Sequence, residues 1–179
     1  MPRQLIPFYE FNLNILQAWD RGWYLLTAGD FATGDYNTMT VSWGAFGWLW
    51  NKPFVQVVVR PTRFTYPFME KYASFTLSAF SQEYRPALNL LGKKSGRDGD
   101  KIAEAGLTVQ ASAGVAAPGF SEAELLIECE KMYYDDLAPE HFLARHIATH
   151  YQQDFHRVYY GEIKAIYGVE KYRRGDAIS

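Results

Sequence analysis

Residues 54–59, Phe-Val-Gln-Val-Val-Val, form an apolar, β-branched run of the length expected for a buried strand. The run stops abruptly at Arg60-Pro61-Thr62-Arg63-Phe64-Thr65. A strand ending in two guanidinium groups, two hydroxyls and a proline sets anion-type donors at a sheet edge, where a ligand can reach them. Upstream, residues 38–45 alternate well enough to be another strand, within Asn37-Thr38-Met39-Thr40-Val41-Ser42-Trp43-Gly44. Thr40 and Ser42 stand two apart, so both hydroxyls share one strand face while Met39 and Val41 take the other. Read alone, such a strand is better explained as an ordinary half-buried Thr/Ser face.

The rest of the chain is read as β-rich with short helices between strands. Strands are expected over residues 23–28, 74–79, 107–111, 123–133 and 158–169, and helices over 11–19, 65–72, 82–91 and 100–105. Residues 139–151 are read as a helical insertion, within a single domain spanning 1–179 and an insertion of about 135–152. No regular strand-helix alternation and no Gly-x-Gly-x-x-Gly after a strand are present, which argues against a doubly wound parallel sheet. The fold class expected is mainly β, an antiparallel or mixed barrel.

Aromatics make up 17% of the 179 residues, a surplus that suits strands, flat ligands and subunit contacts. The net charge of -2 argues against a nucleic-acid binder dominated by phosphate contacts but leaves room for a local basic pocket. Cys129 is the only cysteine, so no intrachain disulfide can form, and its apolar run reads as a strand with a small buried hydrophobe. The N-terminal residues lack a secretory pattern and no apolar stretch approaches the roughly 20 residues of a membrane span, so a cytoplasmic protein is expected. His146 and His150 lie one helical turn apart if 139–151 is helical, but no third ligand at suitable spacing accompanies them, and no metal site is expected.

Further motifs follow in order: Trp50-x-Lys52-Pro53, Phe75-Thr76-Leu77-Ser78, Ser95-Gly96-Arg97-Asp98-x-Asp100-Lys101, Ala105-Gly106-Leu107-Thr108, Glu128-Cys129, and Asp154-x-His156-x-x-Tyr159-x-Gly161-Glu162-Ile163. With Asn37 to Gly44 and Arg60 to Thr65, this series resembles the flavin reductase-like family, flavoredoxins included, over roughly residues 20 to 168. The resemblance implies an FMN-binding split β-barrel, a homodimer with flavin near the subunit interface, and oxidoreductase activity with NAD(P)H or another electron donor. It sets Asn37, Thr38, Met39, Thr40, Val41, Ser42 and Trp43 along the pyrimidine edge of the isoalloxazine ring. Arg60, Pro61, Thr62, Arg63, Phe64 and Thr65 would serve the ribityl phosphate, which needs several donors converging at once. Ser95, Arg97 and Lys101 are expected near the phosphate or ring, although alone that loop reads as a solvated salt-bridge patch. His156 would border the flavin or nicotinamide pocket. A non-catalytic FMN electron carrier and a flavin-free barrel that binds another planar ligand remain alternatives.

Overall fold

The computed structural model describes residues 2–174. The strands are β1 (Gln4–Leu5), β2 (Tyr24–Asp30), β3 (Asp35–Val41), β4 (Gly44–Leu49), β5 (Lys52–Val59), β6 (Ser74–Ala79), β7 (Val109–Gln110), β8 (Gly119–Phe120), β9 (Leu125–Asp136) and β10 (Arg157–Gly168). The α-helices are α1 (Ile15–Gln17), α2 (Tyr66–Lys71), α3 (Arg85–Lys93) and α4 (Lys101–Glu104). One sheet runs β3-β2-β6-β9-β10-β5-β4 with every pairing antiparallel, while β1 adds to β10 and β7 pairs β8 separately.

The ends of that order dictate the shape. β3 and β4 are the two edges of the sheet, yet only Ser42 and Trp43 separate them in the chain. A link that short reaches roughly 10 Å, so the sheet has to curl until its edges nearly meet. Among the described residues β3 and β4 share no ladder, which leaves a seam, and the barrel is split there.

Leu26, Val55, Val57, Phe75, Leu77, Ile127 and Tyr159 fill the barrel without solvent exposure. Trp19 enters near the seam, its ring 4.8 Å from Tyr24 and 5.6 Å from Phe46. Gly44 makes this possible, because a Cβ there would stand 2.5 Å from the Trp19 ring and 2.4 Å from the Gln56 carbonyl oxygen. A second apolar cluster, with Leu25, Leu88, Leu91 and Phe120, lies on the other side of β2. β2 is therefore buried on both faces, which is why Tyr24, Leu25 and Leu26 are apolar in succession instead of alternating with polar residues.

Several expectations change. The strand expected over 38–45 breaks after Val41, because the chain must cross from one sheet edge to the other at Ser42 and Trp43. The helix expected over 11–19 starts only at Ile15, where the Asn14 side chain accepts from Gln17 N at 3.2 Å, and continues as a π turn over Ala18–Gly22. Strand 107–111 shrinks to β7, matched by β8, which the sequence reading missed. β9 extends to Asp136 through its pairing with β10, and the insertion after it carries two 3₁₀ turns, Pro139–His141 and Arg145–His150, in place of an α-helix. Its aromatics gather on one another, Phe142 stacking on Tyr151 at 5.6 Å and Phe155 lying 5.1 Å from Tyr151, so no helical face is presented to the barrel.

Candidate functional site: a basic cleft at the edge strand

The turn from β5 into α2 is closed by Arg63 N donating to the Arg60 carbonyl at 3.0 Å and Tyr66 N donating to the Arg63 carbonyl at 3.0 Å. Among the described residues the N–H groups of Thr62, Phe64 and Thr65 have no hydrogen-bond partner. Thr65 is buried, and its hydroxyl oxygen accepts from Asn37 Nδ2 at 2.6 Å, which fastens the turn to β3. The loop of Ser95 to Asp98 presses on the same place. A Cβ on Gly96 would lie 2.4 Å from the Phe64 ring and 2.6 Å from Asn37 Oδ1, so only glycine allows this approach. Ser95 accepts from Arg97 N at 3.2 Å, and the Arg97 guanidinium sits 4.9 Å from the Phe64 ring centroid.

The C-terminal end of α3 joins this group. Arg63 Nη2 donates to the Gly92 carbonyl at 2.7 Å, and Lys101 Nζ donates to the carbonyls of Lys94 at 3.2 Å and Leu91 at 3.4 Å. Cationic side chains satisfy orphan carbonyls at a helix end, which is where the backbone partial charge is negative. Thr40 Oγ1 donates to the Leu88 carbonyl at 2.5 Å, so its proton is committed to α3.

Lys101 is 3% exposed, and burial, together with the neighbouring Arg63 charge, pushes its ammonium down to about 8. Burial, and then Arg60, also hold Arg63 below its ordinary value. Among the described residues no carboxylate forms an ion pair with Arg63, Arg97 or Lys101, whereas Lys94 pairs with Glu104. Asp100 is spent as the cap of α4, accepting from Ile102 N and Ala103 N at 3.1 Å. The cleft between this loop and the β2–β3 turn holds about 460 Å³ and is bordered by Tyr36, Asn37, Phe64, Gly96, Lys101 and the capping Asp100, while Arg63 and Arg97 adjoin it without forming part of its wall. Guanidinium, ammonium, hydroxyl and free backbone N–H groups held in no ion pair are the donor set that a phosphate monoester requires.

Arg60, Trp43 and His156 form a separate group. Arg60 Nη1 pairs with Asp154 Oδ2 at 2.5 Å and Nη2 donates to the His150 carbonyl at 2.8 Å. His156 Nδ1 lies 3.0 Å from the Tyr151 hydroxyl, and its ring is 5.4 Å from that of Trp43. Burial, followed by the Arg60 charge, pushes His156 down to about 4, so the imidazole is neutral at pH 7. Ser42 and Trp43 line an open groove together with Trp19 and Phe46.

The sequence-selected residues thus divide. Asn37, Phe64 and Lys101 line the basic cleft, and Thr65, Arg97, Ser95 and Arg63 adjoin it, Thr65 through Asn37, Arg97 through Phe64, Ser95 through Arg97, and Arg63 beside Lys101. Pro61 and Thr62 are exposed on the turn. Met39 and Val41 point into the barrel core, and Thr38 is satisfied internally, accepting from Thr27 Oγ1 at 3.0 Å and donating to the Leu26 carbonyl at 3.1 Å. Asp154 and Tyr151 were not selected, although Asp154 opens the motif that contains His156. The α3 carbonyls carry no side-chain signature at all. His141, His146 and His150 are exposed, and among the described residues no group of three or more His, Cys, Asp or Glu could hold a metal.

An antiparallel barrel split at one seam, with a basic cleft against its edge strand, defines a split-barrel protein. Over residues 16–175 the sequence matches the model described as flavin reductase like domain, and the chain belongs to that family. Among solved structures it is similar to flavoredoxin of Desulfovibrio vulgaris (Miyazaki F), with TM-score 0.66, 23% identity, and coverage of 87% of this chain and 74% of that one. Nitrilotriacetate monooxygenase component B from Bacillus cereus aligns with TM-score 0.66 and 18% identity over 84% and 71%. An FMN-binding protein from Thermus thermophilus, with bound p-hydroxybenzaldehyde, aligns with TM-score 0.65 and 18% identity over 84% and 73%. No curated protein matches. No helix among the described residues is long and apolar enough to cross a membrane.

Proposed function

We propose that this protein binds FMN at the basic cleft and acts as a flavin reductase-like oxidoreductase, moving electrons from NAD(P)H or another donor to an acceptor. The observation that carries this reading is the cluster of Arg63, Arg97 and Lys101 without a carboxylate partner, in a chain that belongs to the flavin reductase-like family. Bound flavin supplies the redox chemistry; the protein supplies binding, orientation and electrostatics. Arg63, Thr62, Thr65 and the free N–H groups of the turn hold the phosphate. Asn37 fixes the turn to β3, and the backbone from Thr38 to Ser42 faces the ring, since Thr38, Thr40, Met39 and Val41 spend their side chains elsewhere. Trp43 and the neutral His156 flank the ring on the seam side. Proton chemistry by a dedicated side chain is not needed for hydride transfer to a flavin, which agrees with the composition of the site.

The test is titration of purified protein with FMN, followed by NAD(P)H oxidation with and without added FMN. Saturable binding with turnover supports the oxidoreductase. Binding without turnover leaves the electron carrier, and no binding of either flavin removes the proposal.

The assembly belongs to the same proposal. Trp43, Trp48, Trp50, Tyr133 and Tyr134 are 44–59% exposed, a large aromatic surface for an isolated barrel. A homodimer burying on the order of 2,000 Å² or more is expected, and light scattering at micromolar concentration checks it. A flavin-loaded monomer would remove the interface from the site. The lone Cys129, wholly buried with its thiol pushed up by burial, suits a reducing compartment such as the cytoplasm.

A further inference from the structure

Arg60 shares none of the partners of Arg63. Its guanidinium is held by the Asp154 carboxylate at 2.5 Å and the His150 carbonyl at 2.8 Å, and it lies 5.1 Å from the centroid of the Tyr151 ring. All three belong to the segment between β9 and β10, and Arg60–Asp154 is the one ion pair joining residues 137–156 to the barrel among the described residues. That segment has little regular structure to hold it, only two 3₁₀ turns. Its second attachment is aromatic: the ring centroids of His150, set at right angles, and of His156 each lie 5.4 Å from that of Trp43, a residue of the link that crosses the seam. A planar fork making two charge-assisted bonds is suited to fixing a chain with few backbone bonds of its own.

We propose that Arg60 is a positioning residue, latching residues 137–156 over the seam so that Tyr151 and His156 form, with Trp43, a wall on the ring side of the flavin site. The proposal rests on the flavin reading above for what the wall faces, and on the ion pair and ring contacts for the latch itself. With Arg60 paired to Asp154 and His156 neutral, the wall carries no net charge at pH 7, which suits an uncharged planar ring such as a dihydronicotinamide. Arg60 then belongs to the wall and Arg63 to the phosphate.

The experiment is a double-mutant cycle, Arg60→Ala, Asp154→Ala and both together, read by limited proteolysis of flavin-free protein and by titration with FMN and with riboflavin. Each single variant is expected to speed cleavage within 137–156 roughly five- to tenfold, and the double variant to go no further than either. Both flavins should weaken by the same factor in all three variants. The charge swap Arg60→Glu with Asp154→Arg should restore protection in large part, which a general loss of folding would not allow. Selective loss of FMN over riboflavin in Arg60→Ala, with Asp154→Ala unchanged in both readouts, would overturn the latch and return Arg60 to the phosphate. Cleavage unaffected by any variant overturns it as well. Proteolysis requires no flavin, so a wild-type protein that binds neither flavin defeats the flavin reading while protection still decides the latch.

Discussion

Arg63→Ala is expected to weaken FMN binding by about 1.5–3 kcal/mol, roughly tenfold to beyond a hundredfold, while riboflavin binding changes far less. The expectation follows from how little of the guanidinium is used: of five N–H donors, one is recorded in a hydrogen bond, to the Gly92 carbonyl at 2.7 Å. The remaining donors stand beside Lys101 with no carboxylate between them, so a dianionic phosphate would meet a site already paying the cost of like-charge crowding. Arg63→Lys should recover only part of the loss, since an ammonium cannot hold Gly92 and a phosphate in one plane. Isothermal titration with both flavins measures the difference. Equal losses for FMN and riboflavin would mean that Arg63 merely ties the end of α3 to the turn, and that the phosphate is held elsewhere.

The sequence made the barrel legible because its strands carry their own signals. The run ending at Val59 and the apolar stretch around Cys129 are buried strands for reasons visible in composition, and Arg60 to Thr65 announce a donor-rich strand end. What could not be read was where each donor points. Arg60 and Arg63 are three residues apart and chemically alike, yet one faces Asp154, ninety-four positions on, and the other faces a backbone carbonyl of α3. Helix-end carbonyls have no residue type, so Leu91, Gly92 and Lys94 left no trace as partners. The 139–151 segment failed for a related reason: its aromatics pack on one another, and packing among neighbours in a loop imitates helical spacing without supplying a helical face. The break at Ser42 and Trp43 is a property of sheet closure, which depends on strand order and not on local pattern.

Lys101 gives the prediction with the clearest pH signature. Its ammonium is pushed down to about 8 by burial, with Arg63 adding to the effect, so in flavin-free protein it loses its charge within an accessible range. A phosphate monoester is dianionic above its second pKa of about 6 and favours the protonated amine. FMN affinity should therefore be greatest near pH 7 and fall as pH rises through 8, approaching a tenfold loss per pH unit once the amine of the free protein is neutral. Riboflavin affinity should stay flat over the same range, and Lys101→Met should abolish the slope for FMN. Stability moves the other way. The folded-state value lies below the ordinary 10.5, so the unfolded chain holds more protons between about pH 8 and 10.5, and the contribution of Lys101 to stability improves as pH rises through that window. Thermal melts of Lys101→Met against wild type should show a difference that shifts in favour of wild type from pH 7 to pH 10. A Lys101→Met protein with unchanged FMN affinity and an unchanged pH slope, but altered melting, would assign Lys101 to the α3 carbonyls alone.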